Sequence, residues 1–187
     1  MLTDALSQYL IKKKLNKTLL LTGPLEQDKK ISLSFKESAK KFGIKIIQEN
    51  FFVNNNDPRV RDKNNLSYLT IGRKYNNVFV SDIDGEFALS VPNATMRPAI
   101  VSGSSGLKAQ AWHWSYLRHG APQLNGRFER MSNRRMKSKD WAAWISIKTI
   151  VESVLRIQDI SGKNIIKYLK GVDLQVDGSK GIGLNFK

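Results

Sequence analysis

Short apolar runs alternate with amphipathic segments along the first 110 residues. Apolar residues recur at helical spacing before and between these runs, which predicts helices over about 3–14, 28–42 and 86–91. Thr3 is a predicted cap of the first helix, and Gly43 suits the position after the second, where a positive φ is favoured. The runs of strand length are Leu19–Thr22, Ile44–Val53, Asn77–Ser81 and Pro98–Ser102. Helices alternating with short buried strands predict an α/β fold with a parallel sheet covered on both faces.

The pattern changes after Ala111, and no strand signal returns until about Val172. We predict a basic helix over 123–132 and a long helix that begins at a Ser138 cap. Asp140 falls in the first turn of the long helix, where a carboxylate suits the helix dipole. Ser161 is the predicted cap of a further helix. We therefore expect three parts: an α/β unit over 1–110, a helical segment over 111–171, and a Gly- and Asp-rich segment over 172–187.

The chain is strongly basic, with 31 Lys and Arg against 16 Asp and Glu and a net charge of +15. The charge is dispersed, which favours solvated helix faces over a nucleic-acid footprint. The best nucleic-acid candidate is the basic cluster of Arg127, Arg130, Arg134, Arg135, Lys137 and Lys139. The absence of cysteine excludes disulfides and thiolate metal sites. Residues 1–14 lack the pattern of an export signal, because their lysines follow the apolar positions.

Several segments carry a resemblance to a known family. They are Leu20–Pro24, Val78–Asp82, Ala111–His113, Gly120–Asn125 and Asp140–Trp144. Taken in order, they resemble type I periplasmic solute-binding proteins of the leucine/isoleucine/valine-binding class. The closest likeness is to a subgroup found beside pyrroloquinoline-quinone-dependent alcohol oxidation systems.

The resemblance implies a two-lobed, non-catalytic binding protein without a cofactor, of which this chain is the C-terminal portion. Residues 1–110 would form one flavodoxin/Rossmann-like lobe. Residues 111–171 would return to the other lobe, and 172–187 would be a truncated C-terminal segment. The full-length parent would be periplasmic, without membrane insertion. It would bind a small polar solute and deliver it to the membrane subunits of an ABC transporter, with no nucleic-acid partner.

Polar residues follow three of the predicted strands, where open parallel sheets bind ligands. The candidate ligand-binding residues are Thr22, Gly23, Asp82, Asp84, Glu86, Ser102, Ser104 and Ser105. An alternative is that Asp82 and Ser102 only cap the helices that follow them. Amino-acid-binding relatives typically carry an acidic residue in the loop that matches Gly103–Gly106. This chain has none there, so an α-amino acid is a doubtful ligand and a neutral or anionic solute is at least as good.

The sharpest alternative is an enzyme, because Val78–Gly85 resembles the first motif of haloacid-dehalogenase-type phosphatases. There Asp82 would attack phosphorus and Asp84 would act as general acid, with Mg²⁺ neutralising phosphate charge. Ser102 would imitate the second motif. Against this, the acids after Ser102 are isolated, and Glu86 stands where the motif usually has threonine. His113 and His119 are six residues apart and face different sides of any helix, so we expect no metal site.

Overall fold

The computed structural model describes residues 2–53, 60 and 62–186. The chain divides into two compact units, residues 1–109 and 110–187, and each is described by itself.

The first unit is a four-stranded parallel sheet with helices between the strands. Along the chain, its main elements are α1 Leu2–Lys12, β1 Lys17–Thr22, α2 Glu26–Phe42, β2 Lys45–Phe51, α3 Leu66–Thr70, β3 Asn77–Ser81, α4 Glu86–Ser90 and β4 Ile100–Gly103. Short 3₁₀ turns lie at Asp62–Asn64 and Val91–Asn93. The strand order β2-β1-β3-β4 confirms the predicted α/β fold with a parallel sheet.

Successive side chains of β1 pack into different cores, because side chains alternate across a strand. Leu19 and Leu21 join a core with Val78 and Val80 on one face of the sheet. Leu20 belongs to the opposite core, which α1 and α2 cover. The ring of Phe35 from α2 stacks on Phe79 of β3 with centroids 3.8 Å apart. Burial of both faces explains why these strands are almost continuously apolar.

Some predicted boundaries and caps differ from the structure. The cap at Thr3 is wrong, because α1 begins at Leu2 and the Thr3 hydroxyl pairs with that of Ser34 at 2.9 Å. The strand predicted at Pro98–Ser102 begins only at Ile100. Gly43 has the predicted positive φ, at 78°. The turn predicted at Asn54–Pro58 lies outside the described residues.

The second unit is mainly helical. Its elements are α5 Ala121–Ser132, α6 Ser138–Ile157, α7 Gly162–Leu169, β5 Val176–Asp177 and β6 Gly183–Leu184. The two short strands pair antiparallel. The indole rings of Trp112 and Trp141 lie parallel at the centre of its core, 6.0 Å apart. The Trp141 Nε1–H donates to the carbonyl of Gly178 at 3.0 Å, which ties α6 to the hairpin.

Ser138 and Ser161 were predicted as helix caps of the second unit, and only Ser161 lies at an N-cap position. Ser138 is the first residue of α6 instead of its cap, and its hydroxyl donates to the carbonyl of Trp112 at 2.9 Å. Asp140 lies in the first turn as predicted, and its carboxylate accepts the amide proton of Lys137. Ser161 does occupy the N-cap position of α7, without a side-chain cap bond.

An apolar stripe runs along the exposed side of α6. It comprises Ile147, Ile150, Val151 and Leu155, which are 50% to 69% exposed. Their spacing of three and four residues places them on one face of the helix. The opposite side carries the buried residues Trp141, Thr149 and Ser153. None of the described helices is long and apolar enough to span a membrane.

Candidate functional site

The register of the sheet brings the ends of β1, β3 and β4 to one edge. Thr22 is paired with Ser81, and Val80 with Gly103. The amide of Gly23 continues the ladder by donating to the Ser81 carbonyl at 2.9 Å. Because all the strands are parallel, the segments that follow Thr22, Ser81 and Gly103 leave the sheet at its carboxyl edge. The candidate ligand-binding residues that follow the strand ends are therefore neighbours along one rim.

Asp82 and Ser104 form a bridge between the β3 and β4 ends. The Asp82 amide donates to the Ser104 hydroxyl oxygen at 2.8 Å. The Asp82 carboxylate is 4% exposed and accepts the amide proton of Ala88 at 2.9 Å. It therefore satisfies a first-turn amide of α4, in part as the capping alternative predicts, although the N-cap residue of that helix is Gly85. Since the Ser104 oxygen accepts in this bridge, its own hydroxyl proton is available for a further acceptor.

The hydroxyls of Thr22 and Ser102 form hydrogen bonds with other side chains inside the first unit. The Thr22 hydroxyl lies 2.9 Å from that of Ser32 and donates to the Glu49 carboxylate at 3.3 Å. The Ser102 hydroxyl donates to the side-chain carbonyl of Asn77 at 2.9 Å. No helix begins directly after Ser102, because the next one starts at Ala121, so the prediction that Ser102 caps a helix is wrong. Both hydroxyls are fully or almost fully buried, and they stabilise the sheet behind the rim.

Ser105, Asp84 and Glu86 complete the rim. Asp84 and Glu86 are exposed carboxylates in the segment after β3. The Ser105 side chain is only 6% exposed, and its hydroxyl has no hydrogen-bond partner among the described residues. A buried hydroxyl without a partner is costly, so such a group calls for an explanation. A polar ligand atom would supply one.

Asp28 is a structural residue of this edge that the sequence analysis missed. Its buried carboxylate accepts the amide of Ile83 at 2.7 Å and that of Leu25 at 3.1 Å. Its backbone carbonyl accepts the hydroxyl proton of Ser81 at 2.6 Å. Asp28 thus joins the loop after β1 to the loop after β3. Its place three residues after the helix N-cap, where an acidic side chain can bond the cap amide, is the signal that could have found it.

Gly23 makes room for this arrangement. A Cβ at this position would lie 2.8 Å from the ring of Phe52 and closer still to the Asp28 carboxylate. Close packing at the start of the loop therefore requires glycine at position 23, and its role in ligand binding stays a prediction. A larger residue would displace the carboxylate that holds both loops.

The part of the chain that the structure describes holds no group of three or more His, Asp or Glu side chains suited to a metal ion. The phosphatase alternative needs the Asp82 carboxylate and the Ser102 hydroxyl to face the same substrate. The first is bonded to the amide of Ala88 and the second lies inside the sheet on Asn77. The geometry therefore does not favour that alternative.

Solved structures with the same fold include three solute-binding proteins. A substrate-binding protein of an ABC transporter from Desulfitobacterium hafniense superposes with a TM-score of 0.59 at 16% identity, over 99% of this chain and 60% of that chain. A structure of such a protein from the same organism in complex with Leu gives a TM-score of 0.54 at 15% identity, over 99% of this chain and 60% of that chain. A solute-binding protein of an ABC transporter from Rhodopseudomonas palustris BisB5 in complex with 3,4-dihydroxybenzoic acid gives a TM-score of 0.53 at 15% identity, over 91% of this chain and 52% of that chain.

The fold is that of ABC transporter substrate-binding proteins. This likeness confirms the predicted lobe architecture, and the identities are low enough that it speaks for fold alone. The chain spans about 60% of the length of the first of these neighbours. No family model matches the sequence, and no curated protein sequence matches it. Nothing in the comparisons connects the chain with quinone-dependent alcohol oxidation.

Proposed function

We propose that this chain is part of the non-catalytic solute-binding component of an ABC-type uptake system, with the carboxyl edge of its sheet as one wall of the solute cleft. The observation that carries the proposal is the rim itself, where three strand ends bring hydroxyls and carboxylates together in a fold shared with ABC transporter substrate-binding proteins. The parent protein would be periplasmic and would hand its solute to membrane subunits of the transporter.

The two units would then belong to different lobes of that parent. Residues 1–110 would be the α/β ligand-binding lobe, and 111–171 would be helices that pack on the sheet of the other lobe, with 172–187 as the following segment. The exposed apolar stripe on α6 supports this, because a face of that kind is normally covered in a finished fold. Solute binding would shift the population from open to closed lobes by a hinge motion.

The chemistry of the rim favours a small neutral solute that carries hydroxyl groups. Ser104 and Ser105 offer hydroxyls, and the exposed carboxylates of Asp84 and Glu86 accept hydrogen bonds but repel an anion. The segment from Gly103 to Gly106 has no carboxylate to hold the ammonium group of an amino acid. An alcohol-derived solute, which the sequence resemblance suggests, fits these groups.

The test is an NMR titration of the chain with three probes: glycerol as the neutral hydroxylated probe, leucine as the amino acid and benzoate as the anion. We expect weak binding, because one wall supplies only part of the contacts, and we expect glycerol to shift the amide signals of Ser104 and Ser105 most. Ser105→Ala should abolish these shifts. The matched control is Ser7→Ala, since the Ser7 hydroxyl in α1 is also buried without a partner among the described residues.

Two results would count against the proposal. Leucine or benzoate could give the larger shifts at the rim, or Ser105→Ala could respond to glycerol as Ser7→Ala does. The first result would reject the solute class, and the second would reject Ser105 as a contact.

A further inference from the structure

The second unit contains a cavity that the proposed function does not use. Its volume is about 670 Å³, within the usual range of small-molecule sites. It lies between the segment around Trp112 and Trp114 and the start of α6, and it is lined entirely by residues 110–140. The cavity therefore belongs to one unit, and none of its lining residues is among the rim residues.

The aromatic wall of the cavity is held in place by one side chain. The Asn125 carbonyl oxygen accepts the Trp112 indole N–H at 2.9 Å, and the Asn125 amide group donates to the Trp114 carbonyl at 2.9 Å. Trp112 is buried, whereas the Trp114 side chain is 40% exposed. The guanidinium of Arg135 lies 3.6 Å from the centre of the Trp114 ring. A partly exposed indole is suited to contact a planar group.

The polar wall of the cavity carries a net positive charge. The only carboxylate in its lining, that of Asp140, makes two hydrogen bonds of 2.7 Å with the Arg134 guanidinium, which hold the pKa of Asp140 well below its usual range. Lys137 and Lys139 also line the cavity, and neither forms a salt bridge within the described part of the chain. Two lysine ammonium groups are therefore available to an anion.

His113 adds a hydrogen-bond donor. The Ser115 amide, which can only donate, gives its proton to Nδ1 of His113 at 3.3 Å. A neutral imidazole whose Nδ1 accepts carries its own proton on Nε2. His113, which is one of the lining residues, therefore carries a donor proton on Nε2.

We propose that this cavity is a binding site for a small anion attached to a planar aromatic ring, an aryl phosphate or an aromatic carboxylate. The indole of Trp114 contacts the ring, and Lys137, Lys139 and His113 bind the anionic group. A polyanion fits less well, because two arginines of the basic cluster are already occupied. Arg134 binds Asp140 and Arg135 stacks on Trp114, so two of the six cations in the cluster already have partners that a nucleic-acid backbone would have to replace.

The test measures binding to the purified chain by calorimetry, with phenyl phosphate, benzoate, inorganic phosphate and a short single-stranded DNA as probes at low and physiological salt. We expect phenyl phosphate or benzoate to bind with Kd below about 1 mM, more tightly than inorganic phosphate. The double variant Lys137→Gln, Lys139→Gln should weaken this binding about tenfold or more. Lys163→Gln, Lys167→Gln is the matched control, since it removes the same charge from exposed positions of α7 and should change nothing.

Trp114→Leu separates the role of the ring from that of the charge. We expect it to reduce the affinity for phenyl phosphate to that for inorganic phosphate, while leaving the latter unchanged. The proposal is overturned if neither aromatic probe binds, or if the two lysine double variants behave alike. It is also overturned if the DNA binds most tightly with a steep salt dependence, which would identify a polyanion surface.

Discussion

Replacement of Asp28 by alanine is expected to destabilise the first unit severely. The buried Asp28 carboxylate accepts two backbone amides, those of Leu25 and Ile83, which belong to different loops. Hydrogen bonds to a charged group contribute about 1.5–3 kcal/mol each, and both amides would lose their partner. We therefore expect Asp28→Ala to cost about 3–5 kcal/mol.

A loss of this size approaches the whole stability of a small unit, which is typically about 5–15 kcal/mol. Asp28→Asn is the milder variant, because its single carbonyl oxygen can still accept one amide. We expect it to cost about 1–2 kcal/mol, the range found for lost helix caps. Glu37→Gln is the matched control, since it removes an exposed carboxylate from the same helix, and it should stay within about 0.5 kcal/mol of the parent.

Urea denaturation gives the change in free energy of unfolding, and hydrogen exchange gives the local effect. In Asp28→Asn we expect at least one of the amides of Leu25 and Ile83 to exchange faster than in the parent, with less change at the buried amides of β1. The reasoning is wrong if Asp28→Ala unfolds at the same urea concentration as Glu37→Gln. It is also wrong if the amides of Leu25 and Ile83 both exchange at the parental rate in Asp28→Asn.

Three further predictions concern other parts of the chain. Gly103→Ala should lower the free energy of unfolding by about 1–3 kcal/mol in a thermal melt, because Gly103 has φ of 100° and a Cβ there would overlap a carbonyl of the adjacent strand. Gly126→Ala, in the open middle of α5, should instead raise the free energy of unfolding by about 0.5–1 kcal/mol. The hydrogen bonds from Arg134 lower the pKa of Asp140 in the folded state, so this ion pair stabilises the fold above the unfolded pKa near 4 and loses that effect as the pH falls below it. Between about pH 6 and about pH 3, the urea midpoint should therefore drop less in Asp140→Asn than in the parent, and an equal drop would contradict this reasoning. Ile147→Lys should reduce self-association in sedimentation experiments without loss of stability, whereas Gln8→Lys, which adds the same charge to α1, should leave association unchanged.

The first unit was largely predictable because its signals are local. Apolar runs bounded by Gly23 and Gly43 predict buried strands and helices, and the structure has them within a few residues. The strand order was not predicted, although parallel strands joined by helices have few arrangements. The resemblance in the sequence then predicted a lobe architecture that the solved structures of substrate-binding proteins confirm as a fold.

The hydrogen-bond partners of the side chains at the rim could not be predicted from the sequence. Ser102 and Ser105 are three residues apart and chemically identical, yet one bonds Asn77 across the sheet and the other has no partner among the described residues. That difference arises from Asn77, 25 residues away, and no local pattern contains it. The role of Asp28 depends in the same way on Ile83, which only the register of β1 and β3 brings near.

The buried bonds among Thr18, Asn77 and Ser102 have a consequence for how the sheet assembles. The Asn77 amide group donates to the Thr18 hydroxyl at 3.1 Å, and its carbonyl oxygen accepts from Ser102, so one amide side chain connects three strands. A slip of β3 by one residue would turn Asn77 to the other face and leave three buried polar groups without hydrogen-bond partners in the apolar core. Apolar strands alone tolerate many alignments, and this ladder makes one of them unique.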